Sequence, residues 1–482
     1  MKIEISISVK VILLLLFLLP GNTPLLAQEG NLKSCLVKTR LFVNLYNNHQ
    51  FKQIHSLLDS AQAASFPQDQ FVAYLDTGLF QPYGKILGFE HLDQNKNYQD
   101  FFLLFTHKRM HMYIALDPAD KISLLRFSAY EDKLRPTRDS LLHDNPLRTG
   151  LDSLVHNLAA EYLLLPQTCG LGIGIITPEG SFVYNYGETA RGSMHLPDKK
   201  SIYEAGSISK TFTALLFAKA ILDKKIDPEQ DIRHYLQGTY PDLEFNRHAI
   251  RVKHLLNHTS GLPLVPSNLR SQPDFDSLNP YQNYTKNMLF QDLSHVDLNR
   301  EPGSYCAYSN YNYALLGQIA ESVYKKPFED ILAEEILRDL NLNNTGMKLD
   351  PVQEQKYLQG YSESTAPAKH WNLGVFAPAG GLKTSVEDML LYLSMQLDAD
   401  NPQARKVQEL TFDANEKIAM SWWIRSDRYK ADLYWHNGAT LGFSSFCGFM
   451  PAKKLAIVLL SNSAASTDHL AIQILKYLSN HQ

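Results

Sequence analysis

The sequence predicts two successive α+β domains, and three observations support this fold class. The chain has 482 residues, which is too long for one ordinary domain. Helical spacing over residues 32–64 gives way to strand-like segments between residues 80 and 130. Two strand pairs then stand at opposite ends of residues 148–482, with helical patterns between them. We therefore expect a small first domain and a larger second domain whose sheet is built from its two ends.

The first 27 residues have the pattern of a secretory signal peptide. Lys2 and Lys10 precede an apolar run over residues 11–19, and Ala27 is a small residue before the expected cleavage point. This apolar run is too short for a membrane-spanning helix, which needs about 20 residues. The sequence therefore predicts an exported protein, periplasmic or extracellular, that keeps no membrane span after residues 1–27 are removed.

Residues 28–130 are predicted to form the small α+β domain. Apolar residues recur at three- to four-residue steps over 32–64, and the segments 101–105, 112–116 and 122–127 are typical of strands. In hydropathy and order of elements this part resembles the cone-shaped domains of the nuclear-transport-factor-two-like class. Three roles stay open for it, namely a substrate-binding module, a dimerisation surface or a spacer.

A polar segment with two prolines, residues 131–147, is predicted to link this domain to the second one, residues 148–482. Residues 151–165 have helical spacing, and residues 170–177 and 181–186 have the pattern of a hairpin. A second strand pair and a last helix are predicted near the C-terminus, at residues 443–450, 455–460 and 469–478.

Composition excludes two classes of partner. The formal net charge is −4, the isoelectric point is about 6.5, and the chain has no dense run of Lys or Arg. We therefore expect no binding to nucleic acid or to an anionic membrane surface. Four cysteines are few for a disulfide scaffold, so we expect no required disulfide.

The first candidate for catalysis stands where a long helical pattern begins. Ser207 and Lys210 are three residues apart and share one face of a helix. A serine hydroxyl needs a neighbouring base, and a lysine amine can be that base when burial lowers its pKa. The helix N-terminus also favours an oxyanion. The competing interpretation is a serine N-cap, and the same spacing at Ser322 and Lys325, where we expect no function, shows that the pattern alone is unspecific.

Tyr308 and Asn310 form the second candidate element. A phenol beside an ammonium group can lose its proton more readily and relay protons. The Asn310 amide can donate to a substrate carbonyl or hold Lys210. The same Tyr-x-Asn spacing recurs at Tyr46 and Tyr281, and a core tyrosine beside a turn is the competing interpretation.

The third element consists of His436, Gly438 and Ala439, just before the predicted strand 443–450. A strand edge beside a nucleophile can supply a backbone N–H to an oxyanion hole, and we expect Ala439 to do so together with Ser207. Gly438 would allow close substrate approach, and His436 would hold a substrate carboxylate or orient a proton. The competing interpretation is a surface histidine at a turn.

Together these motifs resemble the serine β-lactamase and penicillin-binding-protein superfamily, whose motifs are S-x-x-K, S-D-N and K-T-G. The resemblance is to the class C branch, in which tyrosine replaces the first serine of the middle motif. It spans about residues 152–479 and implies a β-lactamase-like domain, with an antiparallel sheet flanked by helices, a helical lobe and the site between them. The ordered segments that carry it are residues 203–211, 254–262, 302–317, 379–382 and 436–438.

The resemblance implies a serine hydrolase that works through an acyl-enzyme. Ser207 would attack an ester or amide carbonyl, and Lys210 with Tyr308 would take the proton and return it to the leaving group. The backbone N–H groups of Ser207 and Ala439 would hold the oxyanion. A water activated by Tyr308 or Lys210 would then free the acid, and this scheme requires no metal and no organic cofactor.

Two further motifs are interpreted as structural. His254 and His258 have the i, i+4 spacing of a metal pair, but no glutamate or third ligand stands with them. Gly380 and Gly381 are expected to permit a tight turn near the site.

The chain departs from the superfamily at the third motif, because it contains no K-T-G or K-S-G segment. His436 takes the place of the lysine that holds the substrate carboxylate in β-lactamases, and an imidazole is mostly neutral near pH 7. Histidine there resembles the D-aminopeptidase, D-carboxypeptidase-like and esterase relatives. If His436 acts in catalysis, activity should change in the pH range where an imidazole titrates, and His436→Lys should remove that dependence.

We therefore expect an exported hydrolase of D-amino-acid peptides or small esters. Its partner would be a small molecule or a peptide, with cell-wall fragments among the candidates. A weak class C-like β-lactamase and a receptor that binds penicillin or peptidoglycan fragments without turnover remain as alternatives. The loops at residues 263–293 and 356–375 are expected to form the cleft walls that select the substrate.

Overall fold

The structure, a computed structural model, describes residues 28–94, 97–106, 109–129, 141–272, 274–363, 365–426 and 431–481. The predicted signal peptide 1–27 lies outside the described residues, as does most of the predicted linker 131–147. The chain divides into two compact units, the first made of residues up to Ile86, Leu92–Phe101 and Phe105–Ala129, and the second of the rest. No helix in the described ranges is long and apolar enough to cross a membrane.

The N-terminal region consists of helices followed by a four-stranded sheet, as the sequence predicts. The expected continuous helical stretch is broken, because Asp59 accepts a hydrogen bond from the N–H of Gln62 and so begins a new helix. The sheet has the order β1-β2-β3-β4, and β3 pairs antiparallel with β4. The elements are α1 (Gln28–Asn47), α2 (Phe51–His55), α3 (Ser60–Ser65), α4 (Gln68–Ala73), a π-helix (Tyr74–Phe80), α5 (Gln81–Tyr83), β1 (Ile86–Gln94), β2 (Gln99–Phe105), β3 (Arg109–Leu116) and β4 (Ile122–Ala129).

The C-terminal unit carries the larger sheet and many helices. Its strands are β5 (Gly170–Thr177), β6 (Gly180–Gly187), β7 (Tyr203–Glu204), β8 (Glu244–Phe245), β9 (His248–Ala249), β10 (Lys383–Thr384), β11 (Phe412–Asp413), β12 (Lys417–Ile418), β13 (Trp423–Arg425), β14 (Leu433–Ala439), β15 (Ser444–Met450) and β16 (Leu455–Ser461). Its helices are α6 (Gly150–Leu163), α7 (Ser209–Leu222), α8 (Val252–Leu256), α9 (Lys286–Leu293), α10 (Asn310–Tyr324), α11 (Phe328–Leu332), α12 (Pro351–Glu354), α13 (Ala377–Gly380), α14 (Val386–Leu397), α15 (Pro402–Gln408) and α16 (Asp468–Asn480).

The main sheet joins the two ends of this unit. Its strand order is β11-β12-β13-β14-β15-β16-β5-β6, and every neighbouring pair is antiparallel. β16, near the C-terminus, pairs with β5, which lies almost 300 residues earlier in the chain. The prediction of a sheet built from both ends with helices between is confirmed.

The sheet separates two apolar cores, which explains why β16 is buried along its whole length. Successive side chains of a strand point to opposite faces. Ile457 and Leu459 therefore join the core with α6 and α16, whereas Val458 and Leu460 join the larger core with the helical lobe. A strand covered on both faces has no polar side, and the continuous run of apolar residues at 455–460 reflects this.

Two helices of the lobe come unusually close together at Gly317 of α10. A Cβ atom at this position would lie 2.4 Å from Cγ of Pro378, which belongs to α13. Such a contact is far below van der Waals distance, so the helices can approach only because residue 317 is glycine. This approach matters for the site, because α10 follows Tyr308 directly and α13 carries Ala379.

Gly317→Ala tests this packing, because two effects oppose each other there. Alanine is a better helix former than glycine by about 1 kcal/mol, which alone would stabilise the protein. We expect the clash with Pro378 to win and the melting temperature to fall, with a loss of about 1–3 kcal/mol typical of overpacking. Ser322→Ala in the same helix is the matched control and should leave the melting temperature unchanged or raise it. A stabilised Gly317→Ala protein would contradict the close packing.

Candidate active site

Ser207 lies in a single 3-10 turn, Gly206–Ile208, directly before α7. The N-cap position of α7 is Ile208, so Ser207 is not the helix cap. The turn is fixed by Ser209, whose Oγ donates to the carbonyl of Gly206 at 2.6 Å and accepts from the N–H of Leu382 at 2.9 Å. The side chain of Ser207 is therefore left to contact other groups.

Lys210 occupies the next turn and is completely buried. Its Nζ lies 3.2 Å from Ser207 Oγ and donates to the carbonyl of Ala379 at 2.6 Å. The rings of Tyr308 and Tyr313 lie 4.7 and 5.5 Å from Nζ. Burial lowers the pKa of Lys210 well below its ordinary value, because the charged form loses its hydration. The amine is thus suited to accept a proton.

Tyr308 contacts the same serine from the other side. Its Oη donates to Ser207 Oγ at 2.6 Å. Burial raises the pKa of Tyr308 far above its ordinary value, although the hydrogen bond to Ser207 acts in the opposite direction. The expectation that this phenol loses its proton readily is therefore wrong for the resting site. With its pKa raised in this way, Tyr308 can act as a proton donor toward Ser207.

The ring of His258 packs against the ring of Tyr308. The two ring centroids are 4.7 Å apart, and His258 Nδ1 accepts the backbone N–H of Ser309 at 3.1 Å. Its φ of +59° is in the left-handed region, which is uncommon for histidine. Burial, and then the proximity of Lys210, lowers the pKa of His258 well below its ordinary value. His254 Nδ1 similarly accepts the N–H of Arg251, so both histidines serve backbone hydrogen bonds.

His436 is also buried, with 1% of its surface exposed. Its Nδ1 donates to the carbonyl of Asn437 at 2.6 Å. Burial, followed by the proximity of Lys210, lowers the pKa of His436 to about 3. The lowered pKa argues against the expected titration of His436 near neutral pH, whereas the expected role of His436 in holding a substrate carboxylate or orienting a proton stays a prediction. A surface histidine at a turn is excluded as well, because the ring is enclosed.

Gly438 and Gly206 allow β14 to lie directly against the nucleophile turn. A Cβ on Gly438 would lie 2.2 Å from the carbonyl oxygen of Ala205 and 2.8 Å from the nitrogen of Ser207. A Cβ on Gly206, whose φ is +51°, would lie 2.7 Å from the nitrogen of Ala439. The sequence analysis expected Gly438 to allow close approach of a substrate. In the structure the protein's own backbone approaches this glycine, and the nitrogens of Ser207 and Ala439 lie next to Gly438 and Gly206 respectively.

Asn310 begins α10 on the far side of Ser207. Its Nδ2 donates weakly to Tyr281 Oη at 3.4 Å, and its buried Oδ1 has no hydrogen-bond partner in the described part of the chain. The alternative that Asn310 holds Lys210 is wrong, since the Lys210 amine is held by Ala379 instead. Asn310 is left to face a cavity.

Two cavities meet at Ser207 and Ala439. The larger has a volume of about 720 Å³ and the smaller about 40 Å³. The larger cavity is bordered mainly by β13, β14 and the start of α16, with both acidic and basic side chains in its wall: Glu416, Lys417, Arg425 and Asp468. The smaller cavity is bordered mainly by aromatic and apolar residues together with two polar ones: Tyr281, Asn310, Trp371, Leu373, Phe376, Ala379, Gly380 and Thr440.

Several of these residues escaped the sequence analysis. Tyr281 belongs to another Tyr-x-Asn segment, but the sequence alone does not show that Tyr281 lies beside Asn310. Trp371 and Tyr281 lie in the two loops that were expected to form the cleft walls, so the loops were located but not the residues. Ala379 acts through its carbonyl, for which a side-chain pattern contains no signal.

Comparison with known proteins identifies the fold and the family. The beta-lactamase family model matches residues 165–478, well over half of the chain. A "Beta-lactamase" of Providencia stuartii is 28% identical over 342 residues, covering 61% of this chain and 83% of that protein. A "Beta-lactamase" of Escherichia coli K12 is 25% identical over 360 residues, covering 65% and 89%. The crystal structure of "Beta-Lactamase/D-Alanine Carboxypeptidase" from Pseudomonas syringae superposes with a TM-score of 0.59 at 23% identity, covering 69% and 99%.

The buried, neutral His436 leads to a prediction on pH dependence. Because its pKa is lowered to about 3, the imidazole stays neutral from pH 5 to pH 8 and contributes no titration there. We expect the kcat/KM profile of His436→Asn to keep every limb that the wild type shows in this range, whatever its absolute activity. If a wild-type limb near pH 6–7 disappears in the variant, His436 titrates and its burial is not as described.

Proposed function

The chain belongs to the beta-lactamase family and is a serine hydrolase, and from this premise we propose that it cleaves a small ester or a D-amino-acid peptide through an acyl-enzyme on Ser207. The observation that carries this proposal is the pair of contacts at Ser207 Oγ, with Lys210 at 3.2 Å and Tyr308 at 2.6 Å. A serine between a neutral amine and a neutral phenol has both a proton acceptor and a proton donor within reach.

In the proposed first step, Ser207 Oγ forms a bond to the substrate carbonyl carbon while its proton passes to the Lys210 amine. As the bond to the leaving group breaks, Tyr308 gives its proton to the departing oxygen or nitrogen, and the Lys210 ammonium then reprotonates Tyr308. A water takes the place of the leaving group and releases the acid by the same transfers in reverse. The burial that lowers the pKa of Lys210 and raises that of Tyr308 supports these starting protonation states.

We assign the oxyanion hole to the backbone N–H groups of Ser207 and Ala439. The glycine contacts at Gly206 and Gly438 support this assignment, since they bring both nitrogens to the same side of the turn. Donors that are already fixed stabilise a developing negative charge without reorganisation, and one such donor is worth roughly 10²–10³ in kcat.

The neutral His436 supports substrates that do not depend on a carboxylate at this position. A β-lactam that needs a cation beside the third motif finds an imidazole that is uncharged above about pH 3. Hydrolysis of β-lactams is nevertheless the second candidate, because the matched relatives are named beta-lactamases. A receptor without turnover is not carried further, since the chain is a serine hydrolase. We also propose export, which rests on the signal-peptide pattern of residues 1–27.

Hydrolysis of three chromogenic substrates tests the proposal: p-nitrophenyl acetate, D-alanyl p-nitroanilide and nitrocefin. We expect turnover of the ester or the anilide above that of nitrocefin, and a loss of at least about 10³-fold in kcat for Ser207→Ala. Ser322→Ala, which removes the serine of the other S-x-x-K segment, is the matched control and should keep wild-type rates. Unchanged turnover in Ser207→Ala would remove Ser207 from the mechanism.

A second prediction concerns the base. Lys210 acts in its unprotonated form, so kcat/KM should fall as the pH drops through its lowered pKa. Lys210→Arg keeps a permanent positive charge and should lose about 10²–10⁴-fold at every pH. Lys219→Arg, on the same helix but paired with Glu335 and Asp339, is the matched control and should keep the wild-type profile. A Lys210→Arg enzyme with a wild-type profile would show that another group is the base.

A further inference from the structure

A carboxylate stands beside the third motif in the wall of the larger cavity. Asp468 is the first residue of α16, and its Oδ2 accepts a hydrogen bond from Asn437 Nδ2 at 2.7 Å. Asn437 follows His436 directly, and both Asn437 and Asp468 line the cavity that contains Ser207. Among the described residues Asp468 forms no ion pair, so no cation of this part of the chain neutralises its charge.

Two connections fix the start of α16 next to β14. Ser444 pairs with Ala439 in the sheet, and Ser444 Oγ accepts the backbone N–H of Thr467 at 3.0 Å. Thr467 directly precedes Asp468. Asn437, the other connection, is two residues from Ala439, which is about 7 Å along a strand. With neighbouring strands about 5 Å apart, the Asp468 carboxylate lies roughly 10 Å from the place of the reacting carbonyl.

The positive groups of the same wall lie farther away or beside an opposite charge. The Arg425 guanidinium is 5.9 Å from the Trp435 ring. Trp435 is four residues, about 13 Å, from the end of β14 at the nucleophile. Lys417 is adjacent to Glu416 in the chain and in the cavity wall, so their charges largely cancel at a distance. In the described part of the chain, the uncompensated charge nearest the reacting carbonyl is therefore that of Asp468.

We propose that Asp468 sets the charge selectivity of this hydrolase, so that substrates with a cationic group near the scissile bond react faster than substrates with a carboxylate there. The same fixed charge repels a carboxylate and attracts an ammonium group. D-Amino-acid derivatives with a free amino group belong to the favoured class. β-Lactams such as nitrocefin, which carry a carboxylate, belong to the disfavoured one. The inference rests on the proposed function, since it names the substrate class of the same serine.

Two substrate series place a charge on either side of the reacting carbonyl, so the test does not depend on which side faces Asp468. The first series keeps the acetyl group and consists of phenyl acetate and its 3-carboxy and 3-trimethylammonio derivatives. The second keeps p-nitroaniline and consists of N-acetyl-D-alanyl, N-succinyl-D-alanyl and D-alanyl p-nitroanilide. Each series thus contains a neutral, an anionic and a cationic substrate. The charge ratio of a series is kcat/KM for the cationic substrate divided by kcat/KM for the anionic one.

All rates are measured at pH 7, below the α-amino pKa of about 7.7–8.0 and above the ordinary carboxyl range. Burial raises the pKa of Asp468, so a more acidic buffer would protonate it and weaken the effect.

Asp468→Asn is the main variant, because asparagine has nearly the same shape and its carbonyl oxygen can still accept from Asn437. At about 10 mM ionic strength we expect the charge ratio of at least one series to fall at least about 4-fold. A unit charge about 10 Å away changes each rate about 2-fold even at the dielectric constant of water, and in opposite directions for the two substrates. At about 1 M salt the wild-type charge ratio should approach that of the variant, since the Debye length falls to about 3 Å.

Asp350→Asn is the matched control. It removes the same charge at the N-terminus of α12, in the wall of another cavity, and should leave both charge ratios unchanged. Asp468→Ala removes the hydrogen bond to Asn437 together with the charge, and it should change the charge ratio as much as Asp468→Asn does. It also provides the test if Asp468→Asn does not fold, as judged by thermal unfolding.

Each outcome decides the inference. Equal charge ratios in the wild type and Asp468→Asn, in every series that the wild type hydrolyses, overturn it while the proposed function stands. A shift in Asp468→Ala alone overturns it as well, because the hydrogen bond and not the charge would then set the selectivity. If the wild type hydrolyses none of the six compounds, the proposed cleavage of small esters and D-amino-acid amides fails, and the charge selectivity fails with it.

Discussion

The site depends on one constraint, the complete burial of Lys210, which forms no ion pair with a carboxylate among the described residues. Taking an ammonium group out of water is costly unless it is paired, so burial lowers the pKa of Lys210 well below its ordinary value. In the part of the chain that the structure describes, its hydrogen bonds go to Ser207 Oγ and to the carbonyl of Ala379. An amine whose pKa is lowered in this way can accept a proton from Ser207.

Enclosure of this lysine requires backbone segments to approach more closely than side chains allow. Gly206 and Gly438 let β14 lie on the nucleophile turn, and Gly317 lets α10 lie on α13, which carries Ala379. The same close approach places the nitrogens of Ser207 and Ala439 next to Gly438 and Gly206. Glycine at these positions therefore shapes the electrostatics of the site as well as its packing.

Burial also shifts the pKa values of the surrounding titratable groups. His258 and His436 have lowered pKa values through burial and through proximity to Lys210, while the pKa of Tyr308 is raised. The charged side chains lie instead in the wall of the larger cavity, at residues such as Arg425 and Asp468. The charged groups that border the cleft at Ser207 among the described residues therefore lie on the side of the larger cavity.

The sequence by itself determined the elements and the order of the motifs, because both are local patterns. The apolar run at 455–460 and its partner at 170–177 predicted strands of one sheet, and the spacing of Ser207 and Lys210 predicted a shared helix face. Only the tertiary structure decided that His436 is enclosed with a lowered pKa, that Ala379 and not Asn310 holds Lys210, and that Trp371 lines a cavity beside Ser207. Burial, pKa and cavity volume depend on segments that are distant along the chain, and no local pattern records which of them meet.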